Sequence, residues 1–450
     1  MNLKQWLTPD WAVPSRLQFL WQRFRQRLWV QPALWCLAAI AALGLSISAD
    51  GWLPAHVLPA LDEGVVNDLL HIMASGMLAV STFALSILVG AFASAASAGT
   101  PRATQLVVAD PSAQKAIATF LASFVFAIVG IIGLGTGLMG ASARFVLFLC
   151  ALWVLAWVIY ALLRWIETLT RIGRMGHTIT TVERATRQAL LDMARNPLYG
   201  ARDARQPDFQ DLLRQAPGSQ HPLHLTWSGH LQFVDIDRLE RLCQAHDLHL
   251  LIEARTGDFI HPGQVVGQLW ARKPLQGQPQ ALALLARVRE AFVIGRDRTV
   301  QHDPAFGLSI LAEIAQRALS PAVNDPGTAV AVLSSQTRVL IESLTHTPEP
   351  SDTPCRRVFR HPVELGPLVS LAFDPVARAG AGDVDVQRHL MRTLGALAAC
   401  CTPPIAEAAA AQARRSLRRA VDARMPTEDF VTVEAAFQSA FQSASQKPAA

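Results

Sequence analysis

Four long stretches without acidic, lysine or arginine side chains constrain this chain more than any other feature. They cover residues 28–49, 69–100, 116–143 and 145–163, and His71 is their one ionisable imidazole. A helix needs about 20 consecutive apolar residues to cross the hydrocarbon core of a bilayer. Each stretch therefore predicts a transmembrane helix. The short link at 140–144 predicts that the last two helices form a hairpin.

The charges that flank these stretches predict their orientation. Five cations precede the first stretch, namely Lys4, Arg16, Arg23, Arg25 and Arg27. The loop after it carries four acids and neither Lys nor Arg, namely Asp50, Asp62, Glu63 and Asp68. Further arginines follow the fourth stretch, and cytoplasmic segments carry the excess of Lys and Arg. We therefore expect a multi-pass protein of the bacterial inner membrane with both termini in the cytoplasm.

The composition from Arg164 onward resembles that of an ordinary soluble protein. The predicted fold is a membrane α-helical part with four transmembrane helices, followed by an α+β cytoplasmic domain. That domain is expected to contain a small β-hairpin or barrel-like part and several helices. The predicted segments are an interfacial or cytoplasmic amphipathic segment (1–27), a four-helix transmembrane domain (28–164), a helical stalk (165–197), a β-rich subdomain (221–275), a helical subdomain (280–430) and a disordered C-terminal tail (431–450).

A turn-rich run predicts the hairpin of the β-rich subdomain. Gly257-Asp258-Phe259-Ile260 and a strand at 265–270 flank a His-Pro-Gly turn, a pattern that resembles the hairpin of lipoyl- and biotinyl-carrying barrel domains. No lysine lies at the turn, so we expect neither of these cofactors, nor any other. Helical patterns follow at about 280–293, 304–319, 326–344, 383–400 and 404–424.

A stripe of polar and small residues follows the second stretch in an 11-residue repeat. It contains His71, Ser75, Ala79, Thr82, Ser86, Gly90, Ala93 and Ser97. This spacing places all of them on one side of a straight helix, which in lipid must face protein or water. Close helix packing through small residues explains the stripe. The functional alternative is a pore lined by His71, Ser75, Thr82, Ser86 and Ser97 in an oligomer.

Residues 295–328 form the most distinctive run of the soluble part. Asp303-Pro304 and Asp325-Pro326 have the pattern of helix N-caps followed by proline at the first helical position. Two capped helices joined by a tight turn explain these residues. The functional alternative is a polar cluster at the turn, formed by Arg296, Arg298, Asp303, Glu313, Arg317, Asn324 and Asp325.

This run also resembles a known family. Arg-x-x-x-x-Asp-Pro-x-Phe-Gly-Leu and the later Ser-Pro-x-x-Asn-Asp-Pro-x-Thr-Ala are similar to the hallmark of the domain-of-unknown-function 2254 family of predicted bacterial membrane proteins. The loop Ala98-Gly99-Thr100-Pro101-Arg102 and the run from Gly257 to Ile260 are similar to the same family. The resemblance implies a membrane location and brings no activity with it.

Other patterns point away from common activities. A Gly-x-Gly-x-x-Gly match at 135–140 lies at the end of a membrane stretch rather than after a strand, which excludes a dinucleotide site. Two His-x-x-His pairs, at 221/224 and 246/249, have no third ligand in register, and we expect no metal. There is no Walker A motif and no basic patch with interleaved aromatic residues, so ATP-driven transport and nucleic-acid binding are not expected.

Three classes of function remain. The favoured one is an oligomeric ion or small-solute channel, or passive transporter, with a cytoplasmic regulatory domain. The alternative is a membrane-anchored sensor or scaffold without a pore. A membrane-bound enzyme that acts on an anionic substrate at the arginine-rich turn is the least favoured, and the chain is expected not to be an enzyme. The expected partners are the lipid bilayer, further copies of the chain and a small anion or other ion.

Overall fold

The computed structural model describes most of the chain from residue 62 onward. The described ranges are 62–98, 100–108, 111–136, 139–169, 174–207, 219–271, 279–345 and 355–445, with single residues between 30 and 44 and at 209 and 211. The chain divides into two units, and the second begins at Ile179. The stretch at 28–49, expected as the first transmembrane helix, and the segment 1–27 lie almost wholly outside the described residues.

Four helices form the described part of the first unit. They are α1 (Glu63–Ala98), α2 (Pro101–Val108), α3 (Pro111–Gly135) and α4 (Ala141–Leu169). In the described part of the chain, α1, α3 and α4 are long and apolar enough to cross a membrane. They correspond to the second, third and fourth predicted stretches. The third helix ends at Gly135 rather than at 143, because the glycine-rich run that follows is a poor helix former.

The three long helices pack through small and aliphatic side chains. Leu70 of α1, Phe126 of α3 and Leu147 of α4 share one buried cluster. Gly130 of α3 allows a close approach, since a Cβ there would lie 3.0 Å from the Cδ1 atom of Leu70. Arg144 at the start of α4 forms a 3.2 Å ion pair with Glu63 at the start of α1. The two helices therefore begin on the same side of the unit.

The described part of the second unit contains eight strands in two sheets. The strands are β1 (Arg202–Asp203), β2 (Ser219–His224), β3 (Gly229–Val234), β4 (Leu248–Ile252), β5 (Phe259–Ile260), β6 (Val265–Ala271), β7 (Phe292–Gly295) and β8 (Val358–Arg360). A five-stranded sheet has the order β1-β8-β4-β6-β2, and a three-stranded sheet has the order β5-β3-β7. In the first sheet, β8 is parallel to both β1 and β4.

Nine α-helices accompany these sheets in the described residues. They are α5 (Met175–Arg195), α6 (Ile236–His246), α7 (Pro279–Arg289), α8 (Pro304–Ala318), α9 (Pro326–Leu344), α10 (Gly366–Ala379), α11 (Val384–Cys400), α12 (Pro403–Asp422) and α13 (Thr427–Ser445). A 3₁₀ turn at Val300–His302 leads into α8. The main hydrophobic cluster lies between the large sheet and α6 and α7, with Leu250, Leu239 and Val288 fully buried.

One buried carboxylate fixes β8 between β1 and β4 in the large sheet. Glu240 of α6 is 6% exposed. It accepts hydrogen bonds from the backbone N–H groups of Arg356, Arg357 and Val358 at 2.9, 3.0 and 3.1 Å. The segment 355–358 is thereby fixed at the point where it enters the sheet between β1 and β4.

Three features differ from the sequence-based expectation. The predicted hairpin is not formed, because β5 pairs with β3 in one sheet while β6 pairs with β2 and β4 in the other. Residues 431–445, expected within a disordered tail, belong to α13, whose Val433 is fully buried. The helix α10 was not expected, since Pro375 lies inside it and proline disfavours helix interiors. The predicted stalk contains α5, but residues 170–173 lie outside the description.

Candidate functional site

The polar stripe of α1 lies on the exposed side of the helix. His71, Ser75, Thr82 and Ser86 are all exposed in the single chain. Ser97 belongs to the same helix, but its side chain lies outside the described part. The structure therefore brings the four described residues of the predicted pore onto one open face, as their spacing requires.

The hydroxyl groups of this stripe donate to their own helix. Ser75 donates to the carbonyl of His71 at 3.0 Å, Thr82 to that of Leu78 at 2.9 Å, and Ser86 to that of Thr82 at 3.0 Å. Each hydroxyl oxygen keeps lone pairs that can still accept a hydrogen bond. The face can thus lie against another helix, and it can also line water.

The predicted polar cluster begins with a partly buried ion pair at the start of α8. Asp303 is 4% exposed, and its Oδ2 atom lies 2.7 Å from the Nη2 atom of Arg298. Its Oδ1 atom accepts the backbone N–H of Phe306 at 3.1 Å, which confirms the expected N-cap. Burial raises the pKa of Asp303, and the charge of Arg298 opposes this. The guanidinium of Arg298 also lies 4.8 Å from the ring centroid of Phe306.

The loop after β4 packs directly on this ion pair. Gly257 adopts a φ of +96°, and a Cβ there would overlap the Oδ2 atom of Asp303 and lie 3.0 Å from the Nη2 atom of Arg298. The neighbouring Thr256 hydroxyl donates to the carbonyl of His302 at 2.6 Å. Two of the runs that carried the family resemblance, one around Gly257 and one around Asp303, are therefore in contact.

Two further predicted residues, Asn324 and Asp325, lie beyond the end of α8. Asn324 and Asp325 follow its opposite end, about 22 Å away for a helix of 15 residues. Asp325 caps α9, as expected, by accepting the N–H of Thr328 at 3.0 Å and its hydroxyl at 2.6 Å. The Thr328 hydrogen bonds lower the pKa of Asp325. Asn324 has a left-handed φ of 50°.

The structure consequently does not gather all seven cluster residues at one point. Glu313 is partly exposed within α8, and Arg317 is exposed in its last turn. Arg296 is exposed immediately after β7. Arg298 and Asp303 share one end of α8, whereas Arg317, Asn324 and Asp325 belong to the other end.

Sequence reasoning missed Arg360, the most unusual residue near the Arg298–Asp303 pair. It is 4% exposed at the carboxyl end of β8, on the same side of the strand as the core residue Val358. Among the described residues, its guanidinium donates no hydrogen bond and forms no ion pair. Its contact is the ring of Tyr199, with the guanidinium carbon 5.3 Å from the ring centroid. A desolvated cation–π contact contributes about 2 kcal/mol or somewhat more, whereas burying a charge costs several kcal/mol.

Tyr199 and His302 form the surroundings of this arginine. Tyr199 has a φ of 52°, which is unfavourable for a bulky residue, and burial raises its pKa to about 12. Its ring centroid lies 6.0 Å from that of His302. Burial, together with the charge of Arg360, lowers the pKa of His302 to about 4. At neutral pH the phenol therefore keeps its proton and the imidazole stays uncharged.

The loop after β4 carries two charged residues whose electrostatic fields reach Arg360. Asp258 and Arg255 are both exposed and both interact electrostatically with it. The Oδ2 atom of Asp258 accepts a hydrogen bond from the backbone N–H of Arg255 at 2.8 Å. Because β8 is parallel to β4, with Arg360 paired to Ile252, both strands deliver their following residues to the same edge of the sheet. We call Arg360, Tyr199, His302, Arg255 and Asp258 the sheet-edge cluster.

A second basic region lies at the start of α9. A cavity of about 360 Å³ is lined there by Gly327, Val330, Arg388, His389 and Arg392, among others. His389 shares a 2.8 Å hydrogen bond with Ser334, and burial lowers its pKa, assisted by the two arginines. Arg388 pairs with Asp385 at 2.6 Å.

No group of three histidine, cysteine or acidic side chains in the described part of the chain is arranged to hold a metal ion. The two His-x-x-His pairs belong to different parts of the fold. His221 and His224 belong to β2, and the Nδ1 atom of His224 lies 3.1 Å from the carbonyl oxygen of Gln264. His246 ends α6, and His249 lies in β4, where burial lowers its pKa.

Comparison with known proteins places the chain in a family. The model of the family described as predicted membrane protein, DUF2254, matches residues 25–396. Uncharacterized proteins of Mycobacterium bovis and Mycobacterium tuberculosis are each 30% identical over 225 residues, which is 48% of this chain and 43% of the relative. The chain thus spans less than half the length of these relatives. No solved structure matches it. The chain belongs to the DUF2254 family of predicted membrane proteins.

Proposed function

We propose that this chain forms an oligomeric channel or passive transporter for ions or small solutes in the bacterial inner membrane, with the second unit as a cytoplasmic regulatory domain. The observation that carries the proposal is the exposed stripe of His71, Ser75, Thr82 and Ser86 on α1. Polar side chains at bilayer depth face protein or water rather than lipid. Copies of α1 arranged around an axis satisfy this requirement and enclose water.

The proposed topology has a fourth transmembrane helix at 28–49 and both termini in the cytoplasm. It rests on the cations before residue 28 and the acids between 50 and 68. The ion pair between Glu63 and Arg144 supports it, because this topology puts the first loop and the link before α4 on the same outer side.

Cysteine accessibility tests the pore. In a variant without Cys36 and Cys150, single cysteines replace Ser75, Thr82 or Ser86, and intact cells are treated with a membrane-impermeant thiol reagent. Matched controls carry the cysteine at 78, 80 or 85, and Leu78 and Leu85 are, like the stripe residues, exposed in the single chain. We expect labelling at the stripe positions and little at the controls, because water at this depth requires a protein-lined path.

Reconstitution into liposomes provides the second arm of the test. The purified protein should release a trapped ion or small solute, and Thr82→Phe should reduce the release because the larger side chain blocks the path. Equal and negligible labelling at all six positions, together with liposomes that retain their contents, would contradict the channel.

A sensor or scaffold without a pore is the second candidate. It is favoured by the intrahelical hydrogen bonds of Ser75, Thr82 and Ser86, which satisfy these hydroxyl donors without water. In that arrangement the stripe is a packing surface for a neighbouring helix. The labelling experiment separates the two candidates, because only a lumen makes the stripe more reactive than its neighbours.

A further inference from the structure

Arg360 carries a buried positive charge that no described acid balances through an ion pair. This side chain is 4% exposed and has neither a hydrogen bond nor an ion pair with any described residue. The one aromatic contact, with Tyr199 at 5.3 Å, is weaker than the hydration that the guanidinium has lost. Buried guanidinium groups normally bind a carboxylate or another anion, because their planar donors match two oxygen atoms at once.

The nearby acids Asp303 and Asp258 make other contacts and form no ion pair with Arg360. Asp303 is held by Arg298 at 2.7 Å and caps α8. Asp258 accepts the N–H of Arg255 at 2.8 Å and lies beyond ion-pair distance of Arg360. The side chain of Arg255 is exposed and forms no ion pair within the described residues. The sheet-edge cluster therefore has a surplus of positive charge and of N–H donors.

The neutral members of the cluster favour the same kind of ligand. The Tyr199 hydroxyl has no hydrogen-bond partner among the described residues and can donate its proton to an oxygen atom. His302 lies beside Tyr199 and is 7% exposed. A cation is disfavoured by the arginines, and an apolar ligand would leave the guanidinium without hydrogen bonds. An anion with several oxygen atoms satisfies the donors and the charge together.

We infer that the sheet-edge cluster binds a small oxyanion of the phosphate class, with Arg360 as the deep cation, Arg255 as the cation at the rim and Tyr199 as a neutral donor. The ligand is free phosphate or the phosphate group of a larger molecule. This binding site goes beyond the proposed channel, and its test measures binding rather than conduction. A negative result for the oxyanion site therefore does not contradict the channel, and the reverse also holds.

The experiment uses the full-length protein in detergent at pH 7.5. The Tm is measured against rising concentrations of inorganic phosphate, of the monoester glycerol 3-phosphate and of chloride at equal ionic strength, and each dissociation constant is taken from the Tm increase. We expect one or both phosphate compounds to raise the Tm and chloride not to. A response to the monoester alone assigns the phosphate group to a larger ligand, whereas a response to phosphate assigns the free ion.

Variants locate the binding. Arg360→Lys keeps the charge but loses the two-pronged donor geometry, so we expect at least a tenfold weaker dissociation constant. If this variant does not fold, the exposed rim residue provides the test. Arg255→Gln should weaken phosphate binding roughly threefold to tenfold. The matched control is Arg392→Gln, which removes an exposed charge from the cavity at the start of α9 and should leave binding unchanged.

Three results would overturn the inference. The first is an equal Tm increase with chloride, which would indicate a general salt effect. The second is unchanged phosphate affinity in Arg255→Gln. The third is a larger loss of affinity in Arg392→Gln than in Arg255→Gln, which would move the anion to the cavity lined by Arg388 and His389.

Discussion

Gly257→Ala tests the contact between the β4 loop and the start of α8. Gly257 has a φ of +96°, and an added methyl group would overlap the Oδ2 atom of Asp303 and lie 2.8 Å from its Cγ atom. Asp303 cannot retreat without loss, because it bonds both Arg298 and the N–H of Phe306. The substitution must therefore strain the loop and displace the cap of α8.

Gly263→Ala is the matched control for backbone strain. Gly263 has a nearly equal φ of +93°, and no atom lies within 4 Å of its added Cβ. A left-handed conformation costs a residue with a side chain about 1 kcal/mol. Gly257→Ala carries this cost plus about 2 kcal/mol for steric overlap and the weakened cap. We expect a total destabilisation of about 3 kcal/mol for Gly257→Ala and of about 1 kcal/mol for Gly263→Ala.

Thermal unfolding of the full-length protein in detergent measures this difference. For a unit of this size, 1 kcal/mol corresponds to a Tm change of about 2–4 °C. Gly263→Ala should lower the Tm by about 3 °C, and Gly257→Ala by about 6–12 °C. In an Asp303→Ala background the obstructing carboxylate is gone, so Gly257→Ala should cost only the backbone strain. Equal Tm losses for the two single glycine variants would refute the packing argument.

Three further predictions concern the second unit and the topology. The free energy of unfolding should fall by up to about 3 kcal/mol as the pH drops from 6.5 to 4, because the unfolded state protonates His302 first. The raised pKa of Asp303 changes the stability in the opposite direction as the pH falls. A Tm–pH profile unaltered by His302→Gln would contradict the attribution of this loss to His302. Asp325→Ala should cost about 1 kcal/mol through its lost cap, whereas Asn324→Gly should cost nothing, since Asn324 has a positive φ; urea titration checks both. A reporter fused after Ala60 should indicate a periplasmic position and one at residue 450 a cytoplasmic position, and a cytoplasmic signal at Ala60 would contradict the proposed topology.

The sequence was most informative where the governing interactions are local. Hydrophobic length alone predicted the helices α1, α3 and α4. Asp303-Pro304 and Asp325-Pro326 predicted the starts of α8 and α9, because a cap and the first helical residue are neighbours in sequence. The stripe on α1 followed from helical periodicity in the same way.

Pairing between distant strands could not be predicted in this way. The turn between Ile260 and Val265 has the residues of a hairpin, yet β5 and β6 belong to different sheets. Arg360 carries no signal of burial in the run Val358-Phe359-Arg360. Its position follows from the pairing with Ile252, more than 100 residues earlier in the chain.

The position of β8 between β1 and β4 has a consequence for the order of folding during synthesis. Strand β4 is complete at Ile252, but its neighbour β8 begins only at Val358. Until then β4 keeps one unpaired edge, and β1 has no partner within the sheet. The carboxylate of Glu240 also lacks the three N–H donors of residues 356–358. Open strand edges pair readily with other chains. A nascent chain that ends before residue 355 is therefore a species prone to aggregation, and α8 and α9 must leave the ribosome before the large sheet can close.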